Sequence, residues 1–85
     1  MYHSNIAITL RKSILDPQGK AVEHAIHSLG LTSVHDVRIG KRIELSIDSS
    51  TKEEAEQITE QVCKKLLANP VMEDYSFIVE KIEQG

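Results

Sequence analysis

The chain has little that would tie it to a membrane, a nucleic acid or an oxidising compartment. Its single cysteine, Cys63, excludes an intrachain disulfide and fits a reducing cytosol. No apolar run approaches the about 18 residues of a membrane span. The opening stretch MYHSNIAITL lacks the basic region and long apolar core of a signal peptide. The formal net charge is −3 and no basic stripe stands out, which argues against nucleic acid and anionic membrane as partners. The expected location is the cytoplasm. There is no low-complexity stretch and no linker long enough to divide domains, so residues 1–85 read as one domain.

What is present is an ordinary globular composition, 40% hydrophobic and 27% charged, with apolar residues too periodic for a disordered chain. A domain of this size buries only about 60–65% of the surface its unfolded chain exposes, so association with other chains would help it.

Asn5 to Lys12 alternate, with Ile6, Ile8 and Leu10 on one side and Asn5, Ala7, Thr9 and Arg11 on the other, the mark of a half-buried strand. A helix comes next. Asp16 is a good N-cap, Pro17 suits the first helical position, and Val22, Ala25, Ile26 and Leu29 form an apolar stripe. Gly30 suits the left-handed residue after the helix, with Leu31 placed to pack back on Ile26. Gly19 inside the first turn points to a close backbone contact, because glycine otherwise weakens a helix.

Gly40-Lys41 resembles a hairpin turn, but a two-residue loop would reverse the parity of the inward residues. Val37, Ile39, Ile43, Leu45 and Ile47 keep one parity, with Lys41 among them. The pattern predicts one long strand of about twelve residues with a bend or bulge at Gly40, against a usual five or six. A strand that outruns its own sheet invites a second chain to pair with it. Lys41, at an inward position, either lays its stem on apolar surface or is re-aimed by Gly40.

A second helix is expected from the capping pair Thr51 and Glu54, with Ala55, Ile58, Val62 and Leu66 buried and Lys64-Lys65 suiting its C-terminal dipole. Asn69-Pro70 ends it, either through a left-handed asparagine or through the extended bias of a residue before proline. The last strand, from Asp74 to Ile82, puts Tyr75, Phe77 and Val79 on one face and Ile78 and Ile82 on the other. The expected fold is α+β. It is a mostly antiparallel sheet with two helices on one face, related to the ferredoxin-like βαββαβ plan if the bent strand counts as two.

The chemistry is sparse. His24 and His27 lie one helical turn apart beside Glu23, but a metal site needs a third ligand, and solvated polar residues are the plain reading. Cys63 lies next to Val62 of the stripe and reads as a small buried hydrophobe. Arg38 to Glu44 lack the spaced glycines of a phosphate loop, so Lys41 and Arg42 have no built phosphate site. Nothing assembles a nucleophile, a base and an oxyanion site. From the residues alone, a small oligomeric interaction module is the reading. Its alternatives are a small-molecule-binding regulatory dimer of ferredoxin-like type and a minor enzyme using His24, His27 or Cys63.

Three stretches, LDPQGKAVEHAIHSLG from Leu15, VRIGKRIELSID from Val37 and CKKLLANPVMEDY from Cys63, together resemble the PurS family. That family is the small subunit of phosphoribosylformylglycinamidine (FGAM) synthase, and the resemblance spans nearly the whole chain. Asp16, Pro17, Gly19, Gly40, Lys41, Asn69 and Pro70 carry it, while LRKSIL before the Asp-Pro turn and Met72 depart mildly from the usual pattern. The resemblance implies a ligase of purine biosynthesis that turns formylglycinamide ribonucleotide, glutamine and ATP into formylglycinamidine ribonucleotide, glutamate, ADP and phosphate. It implies a glutaminase subunit that releases ammonia and a large synthetase subunit that holds ATP and Mg. It implies that this chain is a homodimeric adaptor between them, with tetramers left open, and with no catalytic residue, cofactor or metal of its own. The motif residues then read as structural or interface positions. Arg42, Glu73, Asp74 and Tyr75 join them as candidate contacts to another subunit.

Overall fold

The computed structural model describes residues 1–82. Its elements run in the order β1 (Tyr2–Leu10), α1 (Pro17–Ser28), β2 (Lys41–Ile47), α2 (Lys52–Val62) and β3 (Glu73–Lys81). β1 is the central strand, with β2 and β3 antiparallel on either side. Ile6 stands opposite both Ile43 and Phe77. The alternation in sequence decides which side is apolar. Tyr2, Ser4, Ile6 and Ile8 of β1, Ile47 of β2 and Val79 of β3 are buried, while Ala7, Arg42, Glu44 and Ile78 lie on the open side.

α2 closes the apolar side. Ala55, Thr59 and Cys63 face the sheet, four residues apart, and Ala68 joins them beyond the helix. Thr51 caps α2 as expected, its hydroxyl accepting from the Glu54 amide at 3.2 Å. The end of α2 differs from expectation. Cys63–Leu67 winds as a π turn, closed by the Ala68 amide donating to the Cys63 carbonyl at 3.0 Å. A π turn admits one extra residue and so rotates the positions C-terminal to it. Leu66, expected in the buried stripe, is 78% exposed, and Leu67 and Ala68 turn inward instead.

Three further expectations are corrected. The long strand is shorter than its alternation suggests, because β2 starts at Lys41 and Val37 to Gly40 lie outside the sheet. The β1–β2 ladder ends at Ile8 opposite Lys41 although β1 runs on to Leu10, and the amides of Val37 and Ile39 bond to side chains of Glu23 on α1 and its cap Asp16 rather than to a strand. The α+β class and the three antiparallel strands stand, but among the described residues α2 is the one α-helix that packs closely on the sheet face. α1 makes no comparable contact with any strand, and its stripe residues Val22 and Leu29 are exposed. Leu31, expected to pack back on Ile26, is exposed as well. Gly30 does take the left-handed conformation, at φ 89°. The result is an extended molecule of 50 × 33 × 14 Å. Its radius of gyration is 16.5 Å, where a compact chain of this length has about 12 Å.

Candidate interface surface

The motif residues gather where the end of the sheet, the start of α1 and the segment from Val34 to Gly40 meet. Asp16 organises this point. One carboxylate oxygen accepts from the Gln18 and Gly19 amides, both at 3.1 Å, and the other from the Ile39 amide at 2.8 Å. The Ile39 bond, with that of Gly19 next in weight, holds its carboxyl below the usual aspartate value. Pro17 starts the helix where its missing amide costs nothing. Gly19 fits because a Cβ there would lie 2.1 Å from the Val37 carbonyl oxygen, the close contact its sequence position foretold.

Farther along α1, Glu23 accepts from the Val37 amide at 3.3 Å and faces Lys20 at 3.8 Å, which together keep its carboxyl low. His27 Nε2 donates to the Val34 carbonyl at 2.7 Å, since a carbonyl only accepts. The ring of His35 stands edge-on to it, 6.1 Å away, whereas His24 is exposed. Arg38 clasps the opposite loop, donating to the carbonyls of Ile14 at 2.5 Å and Lys12 at 2.9 Å.

Gly40 passes over the end of β1, where a Cβ would lie 2.5 Å from the Ile8 carbonyl oxygen. Lys41 then points its amine across the end of the sheet to Glu73, 3.6 Å away. Arg42 belongs to the open face, bonded to Asn5 at 2.9 Å and Glu44 at 3.0 Å.

The Asn69-Pro70 turn completes the surface. Asn69 is not left-handed; Asp36 is the only non-glycine residue with positive φ among the described residues. The Asn69 side-chain oxygen instead accepts from the Val71 amide at 3.0 Å, an Asx turn. Its amide donates to Glu73 at 2.8 Å, and the Glu73 amide donates back to its carbonyl at 2.8 Å. Arg11 straps this turn to β1 by donating to the Pro70 carbonyl, by its amide to Met72 at 2.9 Å, and by an ion pair with Asp74 at 3.5 Å. Tyr75 donates to Glu60 at 2.6 Å, and that bond pushes its pKa up to about 12. Among the candidates at this turn, Glu73 and Tyr75 thus have partners within the chain. Asp74 keeps its side chain 69% exposed.

The arrangement holds backbone in place. The acids at its centre, Asp16, Glu23 and Glu73, all accept from main-chain amides. Among the described residues no three His, Cys, Asp or Glu side chains converge as a metal site would need. Burial, with Glu60 nearby, raises the pKa of the Cys63 thiol, which disfavours the thiolate. The cleft between Asp16, Lys20, Glu23 and Arg38 holds only about 110 Å³, small against usual ligand pockets of roughly 300–1,000 Å³. Arg11, Glu23, His27 and Arg38 were not singled out for these roles by the sequence. Their bonds go to main-chain groups, which leave no motif.

The chain matches the family model described as PurS, phosphoribosylformylglycinamidine (FGAM) synthase, over residues 3–81. It is 46% identical to the Bacillus subtilis strain 168 protein named phosphoribosylformylglycinamidine synthase subunit PurS, across 96% of each chain. The crystal structure of Methanocaldococcus jannaschii PurS is described as one of the subunits of formylglycinamide ribonucleotide amidotransferase in the purine biosynthetic pathway. It superposes with a TM-score of 0.85 at 41% identity, over 98% of this chain and 100% of that one. A chain from the structure of PurLQS from Thermotoga maritima superposes with a TM-score of 0.83 at 28% identity, over 94% of this chain and 99% of that one.

Proposed function

This chain belongs to the PurS family of FGAM synthase subunits, and on that premise we propose that it is the assembly subunit, holding synthetase and glutaminase together as a homodimer. It is a subunit of that ligase and acts in purine biosynthesis. The finer reading concerns how it does so. The observation that carries it is the unsealed state of the single chain. α1 stands off the sheet with Val22 and Leu29 exposed, Ile39 beside it is 41% exposed, and among the described residues β2 pairs only with β1. A second copy laid along this arm covers apolar surface that one chain leaves bare. The dimer then offers its remaining surfaces, with Arg42 and Asp74 among the exposed charges, to the two larger subunits.

In this reading ATP, Mg and the glutamine-derived ammonia are handled by the partners, and this chain contributes geometry. Holding ammonia donor and acceptor in register is worth much when a reactive intermediate passes between sites. No described helix is long and apolar enough to cross a membrane, and the cytoplasm is the compartment that fits a purine-synthesis complex. The test is co-elution of the chain with the synthetase subunit on gel filtration, with glutaminase, ADP and glutamine present. Co-elution is expected, with Asp74→Lys weakening it at an unchanged melting temperature. Separate elution of the wild-type chain under those conditions sinks the adaptor role.

A further inference from the structure

Three side chains on one side of α1 and its cap hold the backbone of the segment that comes after the helix. Asp16 accepts from the Ile39 amide at 2.8 Å, Glu23 from the Val37 amide at 3.3 Å, and His27 donates to the Val34 carbonyl at 2.7 Å. Steps of seven and four residues put them on one stripe of the helix. The order is antiparallel, so Val34 to Ile39 lie along α1 like a strand along a rail. Arg38 fixes the same segment to the loop before α1 through the Lys12 and Ile14 carbonyls.

The segment has the makings of something else. Val37 and Ile39 alternate in phase with Ile43, Leu45 and Ile47, and the outer edge of β2 has no neighbour among the described residues. Turned back at Gly40, the segment would become a fourth strand on that edge, and α1 would come over the sheet beside α2. That closed arrangement is the βαββαβ plan within one chain. We propose that Asp16, Glu23 and His27 form a latch that keeps the chain open, by tying Val34–Ile39 to α1 instead of letting it close on β2. The latch rests on the reading that the open form is the self-associating one. It works by competition, since an amide bonded to a carboxylate on α1 is withheld from a strand on that side.

Asp16→Asn isolates the effect. Asparagine caps a helix as well as aspartate does. With its oxygen on the Gln18 and Gly19 amides, however, it turns an N–H toward the N–H of Ile39. Glu23→Met removes the second acceptor and keeps a good helix former. The double variant is compared with wild type by sedimentation and small-angle X-ray scattering. The expected result is a monomer with a radius of gyration near the roughly 12 Å of a compact chain. Its helix content is expected to be unchanged and its self-association at least tenfold weaker. A variant that associates like wild type overturns the latch. Should the variant unfold, hydrogen exchange on the wild-type protein decides. The Val37 and Ile39 amides are expected to exchange at least tenfold more slowly than those of Asp36 and Arg38, and equal rates overturn the latch. A monomeric wild type with a radius near 16.5 Å would sink the self-association reading while supporting the latch.

Discussion

Ser4 and Thr59 meet inside the core, both with no exposed surface. Thr59 donates to the Ala55 carbonyl at 2.8 Å, so the proton between the hydroxyls, 2.6 Å apart, comes from Ser4. Thr59→Val keeps the shape and strands the Ser4 hydroxyl, at an expected cost of about 1–3 kcal/mol. Adding Ser4→Ala removes the orphan, and the double variant is expected to recover most of that loss. Urea unfolding of the two singles and the double measures this; a loss in the double equal to the sum of the two single losses would show that the pair is not coupled. At this scale the sequence was legible where chemistry is local. The Asp16 cap and the crowding at Gly19 come from neighbours within a few positions or from what glycine alone permits. The Arg11 strap and the Arg38 clasp were not legible, because their carbonyl partners lie 59, 24 and 26 residues away.

At the scale of elements, hydrophobic period found the helices and strands but misjudged two ends. It reports which side of a segment is apolar, not whether a neighbour supplies hydrogen bonds. Val37 and Ile39 therefore kept the rhythm of β2 while their amides went to Glu23 and Asp16. A 3.6-residue period likewise carries no sign of a π turn, so Leu66 was placed inside and stands outside. Leu66→Ala tests that register. It is expected to change stability by no more than about 0.5 kcal/mol in chemical denaturation, as for an ordinary surface site. A leucine facing the core would cost about 2–5 kcal/mol instead, and a loss of that size would argue for an unbroken α-helix.

For the whole molecule, the apolar stripe of α1 is the part left unfinished. Val22 is 39% and Leu29 77% exposed, on a helix that no strand covers. Burying a side chain of this size stabilises by about 1.5–3 kcal/mol, so the pair can supply a large share of a dimer contact. Val22→Glu with Leu29→Glu is expected to weaken self-association at least a hundredfold, roughly 3 kcal/mol, with the melting of the sheet little changed. Sedimentation across a concentration series reads it, and an unaltered dissociation constant would exclude this stripe from the interface. The overall shape was only partly legible. Parity through Gly40 argued against a hairpin there, but the expectation that α1 joins α2 on one face of the sheet was wrong, because an apolar stripe reports which side of a helix is apolar and not what covers it.

The position of β1 also sets an order of events during synthesis. β1 precedes both of its neighbours in the chain, and its Tyr2 pairs with Ile47 on one side and Lys81 on the other. Both ladders close across long stretches of chain, the kind of connectivity that slows folding. Until β3 has been made, the central strand has a bare edge along its length, with Ile6 and Ile8 lacking half their cover. β1 and β2 are available to pair before β3 exists, and the sheet is complete only once β3 has been made and seated on the far edge of β1.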